Sequence, residues 1–121
     1  MAEAVILFKP CHVAPILARV KTQTRRLHIP FRWRVGAVHG CFTDMRRGAR
    51  PFARVRILRR WSEPLGAISE ADARAEGYGS REDYLRAFEE MNRKAGAVDL
   101  GREVSCYEFE LVSQGRRDEC V

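Results

Sequence analysis

Two periods of apolar residues run along this chain. "AVILF" at 4–8 is a short continuous apolar run, β-branched at Val5 and Ile6, and reads as a buried strand that Pro10 ends. Val13, Ile16, Leu17 and Val20 then recur at i, i+3, i+4 and i+7, the spacing of one helical face. Pro15 is tolerated only in a first turn, so that helix should begin near residues 12–14. Residues 28–37, with Pro30 and Gly36, read as irregular, 37–43 as a strand and 44–51 as a loop. Over 52–61, Ala53, Val55 and Ile57 alternate with Arg54 and Arg56, which predicts a strand that "SEPLGA" at 62–67 breaks. Ser69 with Asp72, and Ser80 with Asp83, fit the S-x-x-D/E helix-capping pattern. Gly77 and Gly79 stop the first of these helices. The second, over about 80–95, sets Tyr84, Leu85, Phe88 and Met91 on one face for core packing. At 106–112, Tyr107, Phe109 and Leu111 alternate with Glu108 and Glu110, a half-buried strand before a polar tail. Strands at both ends, a helical pair between them and no βαβ rhythm exclude a doubly wound fold and favour a small curved or closed sheet with helices on its rim.

Composition adds bounds. The 121 residues suit one domain, and 45% hydrophobic content is ordinary for a globular chain. No apolar run approaches a membrane span, and the first residues lack the basic start of a signal peptide, so the expected setting is cytoplasmic. Cysteines at 11, 41, 106 and 120 form no CxxC pair and no zinc spacing, and His12 beside Cys11 supplies two ligands without convergent partners. No metal or cofactor is expected, and the thiols are read as reduced.

Charge placement says more than the net +6. Residues 4–43 hold no Asp or Glu but seven basic residues: Lys9, Arg19, Lys21, Arg25, Arg26, Arg32 and Arg34. A localised positive field favours an anionic partner, most simply nucleic acid or a phosphate. Gly-rich phosphate loops, nucleophile elbows and HExxH motifs are absent.

The segments "ILARVKTQTRRL", "WRVGAVHGCF", "RVRILRRWSEPLGAISEADARAEGYGSREDYLRAF" and "YEFELV" follow one another in an order that resembles the ASCH domain. The likeness covers most of residues 5–112. It rests on a K-T-x-T-x-R signature at Lys21, Thr22, Thr24 and Arg26, on Gly36 before a strand, and on the helix containing "SEADARAEGY". It implies an α+β fold, a small PUA-like β-barrel with two to three helices at its rim. Residues 1–112 would form the single domain and 113–121 a polar tail. It further implies a basic cleft that binds RNA or a modified nucleoside. One bacterial branch of the family hydrolyses the amide of acetylated cytidine with a lysine, a threonine and a glutamate, which fall here on Lys21, Thr24 and Glu76; other members are described as ribonucleases. Two departures stand out. Arg19 occupies a position where the family usually has glycine, a residue suited to a left-handed turn. Gly36-Ala37 replaces a usual Gly-Asp.

The chemistry is coherent. A threonine hydroxyl needs a base, and lysine can serve when burial or neighbouring cations lower its pKa. Lys21 and Thr24 would be neighbours in a helical turn but would face opposite sides of a strand. Glu76 would orient the lysine or shuttle a proton. Arg26 is the candidate clamp for a phosphate or base edge, with Thr22, Arg25 and Arg34 as further binding candidates. Trp33, beside Phe31, is a candidate for stacking a base, and Tyr78 is a candidate lid. Arg54 and Arg56 would extend the basic face or pair with Glu108 and Glu110. Two readings result: a module for RNA or a modified nucleoside, and an amidohydrolase acting on acetylcytidine, with a ribonuclease as a variant of the first. The oligomeric state is left open.

Overall fold

A computed structural model describes residues 5–28, 30–95 and 99–115. Its order of elements is β1 (Ile6–Leu7), a 3-10 turn (Pro10–His12), α1 (Val13–Leu17), β2 (Gln23–Arg26), β3 (Val38–Phe42) and β4 (Ala53–Pro64). A second 3-10 turn (Leu65–Ala67), α2 (Glu70–Ala75), α3 (Arg81–Met91), a third 3-10 turn (Arg93–Ala95) and β5 (Glu103–Gln114) complete it. The strands form one sheet in the order β1-β3-β4-β5-β2, with β1 parallel to β3 and every other pair antiparallel. This is an α+β, PUA-like half-barrel with three helices. Among the described residues no helix is long and apolar enough to cross a membrane.

β1 and β2 are the two edges of the sheet, and a side chain spans them: Arg26 Nη2 donates to the Leu7 carbonyl at 2.9 Å. The half-barrel is therefore open along a seam between these edges, and the site lies in that seam.

Strand alternation builds two apolar layers. On β5, Tyr107 and Phe109 face the barrel with Ile6, Phe8, Trp33, Val55 and Ile57, whereas Val104 and Cys106 face Leu65, Ile68, Ala73, Tyr84 and Phe88 of the helical layer. β2 inherits the same division through its register, Thr24 opposite Tyr107 and Arg25 opposite Cys106. Thr24 and Arg26 thus point to the barrel mouth, and Gln23 and Arg25 to the helices.

The caps form as read: Ser69 Oγ accepts from Asp72 N and Ser80 Oγ from Asp83 N, each at 3.0 Å. α1 begins at Val13 with Pro15 in its first turn. Three differences have physical reasons. Of the helical turn and the strand open to the signature stretch, Gln23–Arg26 takes the strand and adds to β5 at the sheet edge. β4 does not stop at Trp61, because Ser62, Glu63 and Pro64 still find partners in Ser105, Val104 and Glu103. On the solvent face Arg56 pairs with Glu110 at 3.0 Å, but the antiparallel register puts Arg54 opposite Ser113, and Glu108 goes to Arg59 (2.7 Å) across a register shift after Ile57. Such exposed pairs add little stability. Arg19 keeps the left-handed turn at φ 64° despite its Cβ. Residues 116–121, and with them most of the expected tail and Cys120, lie outside the described residues.

Candidate functional site

The end of α2 sets the site. Gly77, at φ 100°, takes the left-handed conformation that glycine accommodates and turns the chain so that it packs beside the Lys21 side chain. Ala75 O accepts from Thr22 N at 2.7 Å, which locks helix end to signature segment. Glu76, the C-cap, is 3% exposed. Its carbonyl, one of the orphan acceptors at a helix end, takes Lys21 Nζ at 2.8 Å, and its Oε1 takes the same nitrogen at 3.1 Å. Gln23 O supplies the third acceptor at 3.0 Å, so every N–H of the buried ammonium is used.

Glu76 also holds Arg25, whose Nη1 reaches Oε2 at 2.9 Å. Arg25 Nη2 meets Glu63 at 3.1 Å and Asp72 at 3.3 Å, while Gln23 bridges Arg25 Nη1 (2.9 Å) and Asp72 (3.1 Å). The guanidinium lies 5.5 Å from the Trp61 ring centre. The acid-free third is thus met by three carboxylates from later in the chain, and two of its seven cations are buried inside that network.

Arg26 differs. Its Nε donates to Thr24 Oγ1 at 3.0 Å and its plane rests near Phe8 and Trp33, 5.0 and 5.3 Å from their centres. Among the described residues no carboxylate pairs with it.

These groups line a cavity of about 410 Å³, within the range of small-molecule sites. Lys21, Thr24, Arg25, Arg26, Glu76 and Tyr78 all contribute to its wall, with Phe8, His12, Tyr84 and Phe88. Lys21 and Thr24 share the cavity but are not hydrogen-bonded to each other. The strand geometry separates their tips, and each tip bonds elsewhere. Burial lowers the Lys21 pKa; Glu76 opposes this, and Arg26 and Arg25 add to it.

Three expected binding residues lie elsewhere. Trp33 is 2% exposed, its ring 4.7 Å from that of Tyr107, so it offers no free face to a base. Arg34 is exposed and away from the cavity lining, and Thr22 is engaged through its backbone, donating to Ala75 O and accepting from Phe109 N at 2.9 Å. Arg25 reaches the cavity, but both of its terminal nitrogens are taken by protein acceptors. Sequence reasoning missed Phe8 and His12 as wall residues, and Glu63 and Asp72 as counter-charges. Their contacts to the signature are long-range, and no local spacing announces them.

His12, 7% exposed, sits between Phe8 and Tyr78 with ring centres 6.1 and 6.0 Å away. Burial first, then Lys21, Arg26 and Lys9, push its pKa down to about 4, so it is neutral at pH 7. A depressed folded pKa means that the unfolded chain takes a proton first as pH falls from 6.5. Stability is full above that pH and is lost toward 4, by on the order of 2–3 kcal/mol. Thermal melts of wild type and His12→Gln between pH 7 and 4.5 should show the variant gaining on wild type as pH falls. A constant gap would contradict the assignment.

No protein-family model matches the chain, and no curated protein matches it. Solved structures do share its fold. A protein of Enterococcus faecalis V583 described under the DUF984 family superposes with a TM-score of 0.73 at 16% identity, over 94% of this chain and 79% of that one. An ASCH domain from Lactobacillus crispatus JV V101 gives 0.64 at 17% identity, over 86% and 72%. ASCH from Zymomonas mobilis gives 0.63 at 17% identity, over 93% and 69%. The class that fold and seam define is the α+β PUA-like half-barrel. Within it, the chain has the ASCH-domain fold.

Proposed function

We propose that the cavity binds one nucleoside, free or presented by RNA. The observation that carries this reading is the composition of the wall. A floor whose charges are paired within the protein, Lys21 and Arg25 with Glu76, Glu63 and Asp72, faces aromatic sides at Phe8 and Tyr78, and Arg26 stands at the seam with no carboxylate among the described residues. Aromatic sides suit a planar base, and a guanidinium with no counter-charge suits a carbonyl oxygen or phosphate at the rim.

Calorimetric titration with cytidine, acetylcytidine and a short single-stranded RNA tests this. Nucleoside binding should change little with salt, whereas RNA should add a salt slope of roughly −0.7 per phosphate neutralised. Arg26→Ala should weaken both by about tenfold, the loss of a charge-assisted contact. No nucleoside binding, or binding that Arg26→Ala leaves unchanged, sinks the reading.

A second reading has one specific observation in its favour: Lys21, Thr24 and Glu76 line the same cavity, with the lysine pKa lowered. In acetylcytidine hydrolysis Thr24 Oγ1 would attack the acyl carbon while its proton passes to a neutral Lys21. Cytidine would leave with a proton, and water would then release the acyl group. The absence of a Lys21–Thr24 hydrogen bond places this second, because the lysine must leave Glu76 or Gln23 O to act. Cytidine release that vanishes in Lys21→Ala would establish it, and no turnover would leave the site a binding module.

A further inference from the structure

Charge is unevenly placed along the cavity. The floor network sets two cations, Lys21 and Arg25, against three carboxylates, Glu63, Asp72 and Glu76, which leaves it one charge to the negative side. An anion is disfavoured at that end. The mouth is the reverse. Arg26 bonds Thr24 Oγ1 through Nε and the Leu7 carbonyl through Nη2, and its Nη1 has no partner among the described residues. Lys9 is exposed and lines the same cavity, and its ammonium meets no acceptor among the described residues. It follows Phe8, whose ring centre lies 5.0 Å from the Arg26 guanidinium, and precedes the Pro10–His12 turn that brings His12 into the wall. Burial, and then the charges of Lys21, Arg26 and Lys9, keep His12 neutral, so these three cations stand within electrostatic reach of one wall residue. Among the described residues the lining holds one carboxylate besides Glu76, that of Asp44. It is engaged within its own loop, where Oδ1 accepts from Arg46 N at 2.9 Å and from Arg46 Nε at 3.2 Å.

We infer that Lys9 and Arg26 form a phosphate subsite at the cavity mouth, so that the preferred ligand is a phosphate ester of the nucleoside rather than the free nucleoside. This rests on the nucleoside reading and adds to it the class of ligand and the direction in which it lies. The base goes inward, between Phe8 and Tyr78, and the phosphate outward, where positive charge is uncancelled. The two cations suit that group in different ways. A guanidinium offers directed N–H donors to phosphate oxygens, and an ammonium offers a compact charge on a flexible stem. The ester belongs either to a mononucleotide or to a strand, and both bring the same chemistry to the mouth.

The test titrates the full chain at low salt with cytidine, with its 5′- and 3′-monophosphates and with a trinucleotide of cytidine. Wild type should bind at least one phosphorylated ligand about tenfold tighter than cytidine, an advantage that shrinks as salt rises. An advantage already present in a monophosphate makes the mononucleotide the source, and one that appears only in the trinucleotide makes it a strand. Lys9→Met, a change at an exposed position that leaves the fold intact, should bring the ratio of affinities down to about threefold or less. Arg34→Met removes the same charge from an exposed position outside the cavity lining and should keep the ratio within about twofold of wild type. The inference is overturned if every phosphorylated ligand binds within about twofold of cytidine, if the ratio survives Lys9→Met, or if Arg34→Met lowers it equally, the mark of a general positive field. If wild type binds neither cytidine nor any phosphorylated form, the nucleoside reading itself fails, a result distinct from cytidine binding without a phosphate advantage.

Discussion

Replacing Glu76 with alanine is expected to cost about 3–5 kcal/mol of stability, a large share of what a domain of this size has. The carboxylate is shared by two buried cations, at 3.1 Å from Lys21 and 2.9 Å from Arg25. Arg25 keeps Glu63 and Asp72, but Lys21 keeps only two carbonyls and no counter-charge. Its pKa, already lowered by burial, then falls further. The unfolded lysine stays protonated to about 10.5, so below that pH the folded variant holds its proton less readily than the unfolded chain and is penalised. The penalty shrinks as pH rises toward 10.5. Denaturant melts at pH 7 and 9.5 should show the gap to wild type narrowing at the higher pH. Adding Lys21→Met to the variant should recover much of the loss at pH 7, because the stranded charge is gone. A gap independent of pH, or no recovery in the double variant, would mean that the Lys21–Glu76 pair is not what the carboxylate supports.

Trp33→Ala is expected to cost a similar 3–5 kcal/mol, which for a domain of this size lowers the melting temperature by on the order of 10–20 °C. The ring packs against Tyr107 and His28, 4.7 and 5.1 Å away, and carries the Arg26 guanidinium on its face. Its backbone carbonyl takes Arg60 Nη1 at 2.9 Å. Lost binding in the alanine variant would therefore follow lost folding. Trp33→Phe separates the two effects: it should soften the fold while nucleoside affinity stays within about threefold, a change too small for a lost base stack. A Trp33→Phe protein that melts like wild type but loses binding tenfold would return this ring to the binding surface.

What was legible in the sequence follows the range of the forces involved. The alternation of β4 and β5 and the Ser69 and Ser80 caps are local, and local patterns announce them. β2 carries Gln23, Thr24, Arg25 and Arg26 with no apolar alternation, because it buries polar groups on both faces and is held by β5 on one side and by ion pairs on the other. The charge imbalance of the first forty residues was visible, but its neutralisation was not: Glu63, Asp72 and Glu76 lie 38, 47 and 51 residues from Arg25. Glu76 entered through the likeness to a family, since residue pattern alone offers only a charge at the end of a short helix. Trp33, among arginines in an irregular stretch, gave no periodic sign that it fills the barrel. Tyr84 reads as core from its helical spacing and packs in the helical layer.

The central claim is that the seam between β1 and β2, floored by Lys21 and Glu76, is where a nucleoside sits. A nitrogen-labelled sample titrated with cytidine and acetylcytidine and followed by amide chemical shifts tests it most directly. Saturable shifts concentrated in residues 21–26 and 76–84 are predicted. No shifts, or shifts confined to the arginine-rich loop at 46–50, would contradict it.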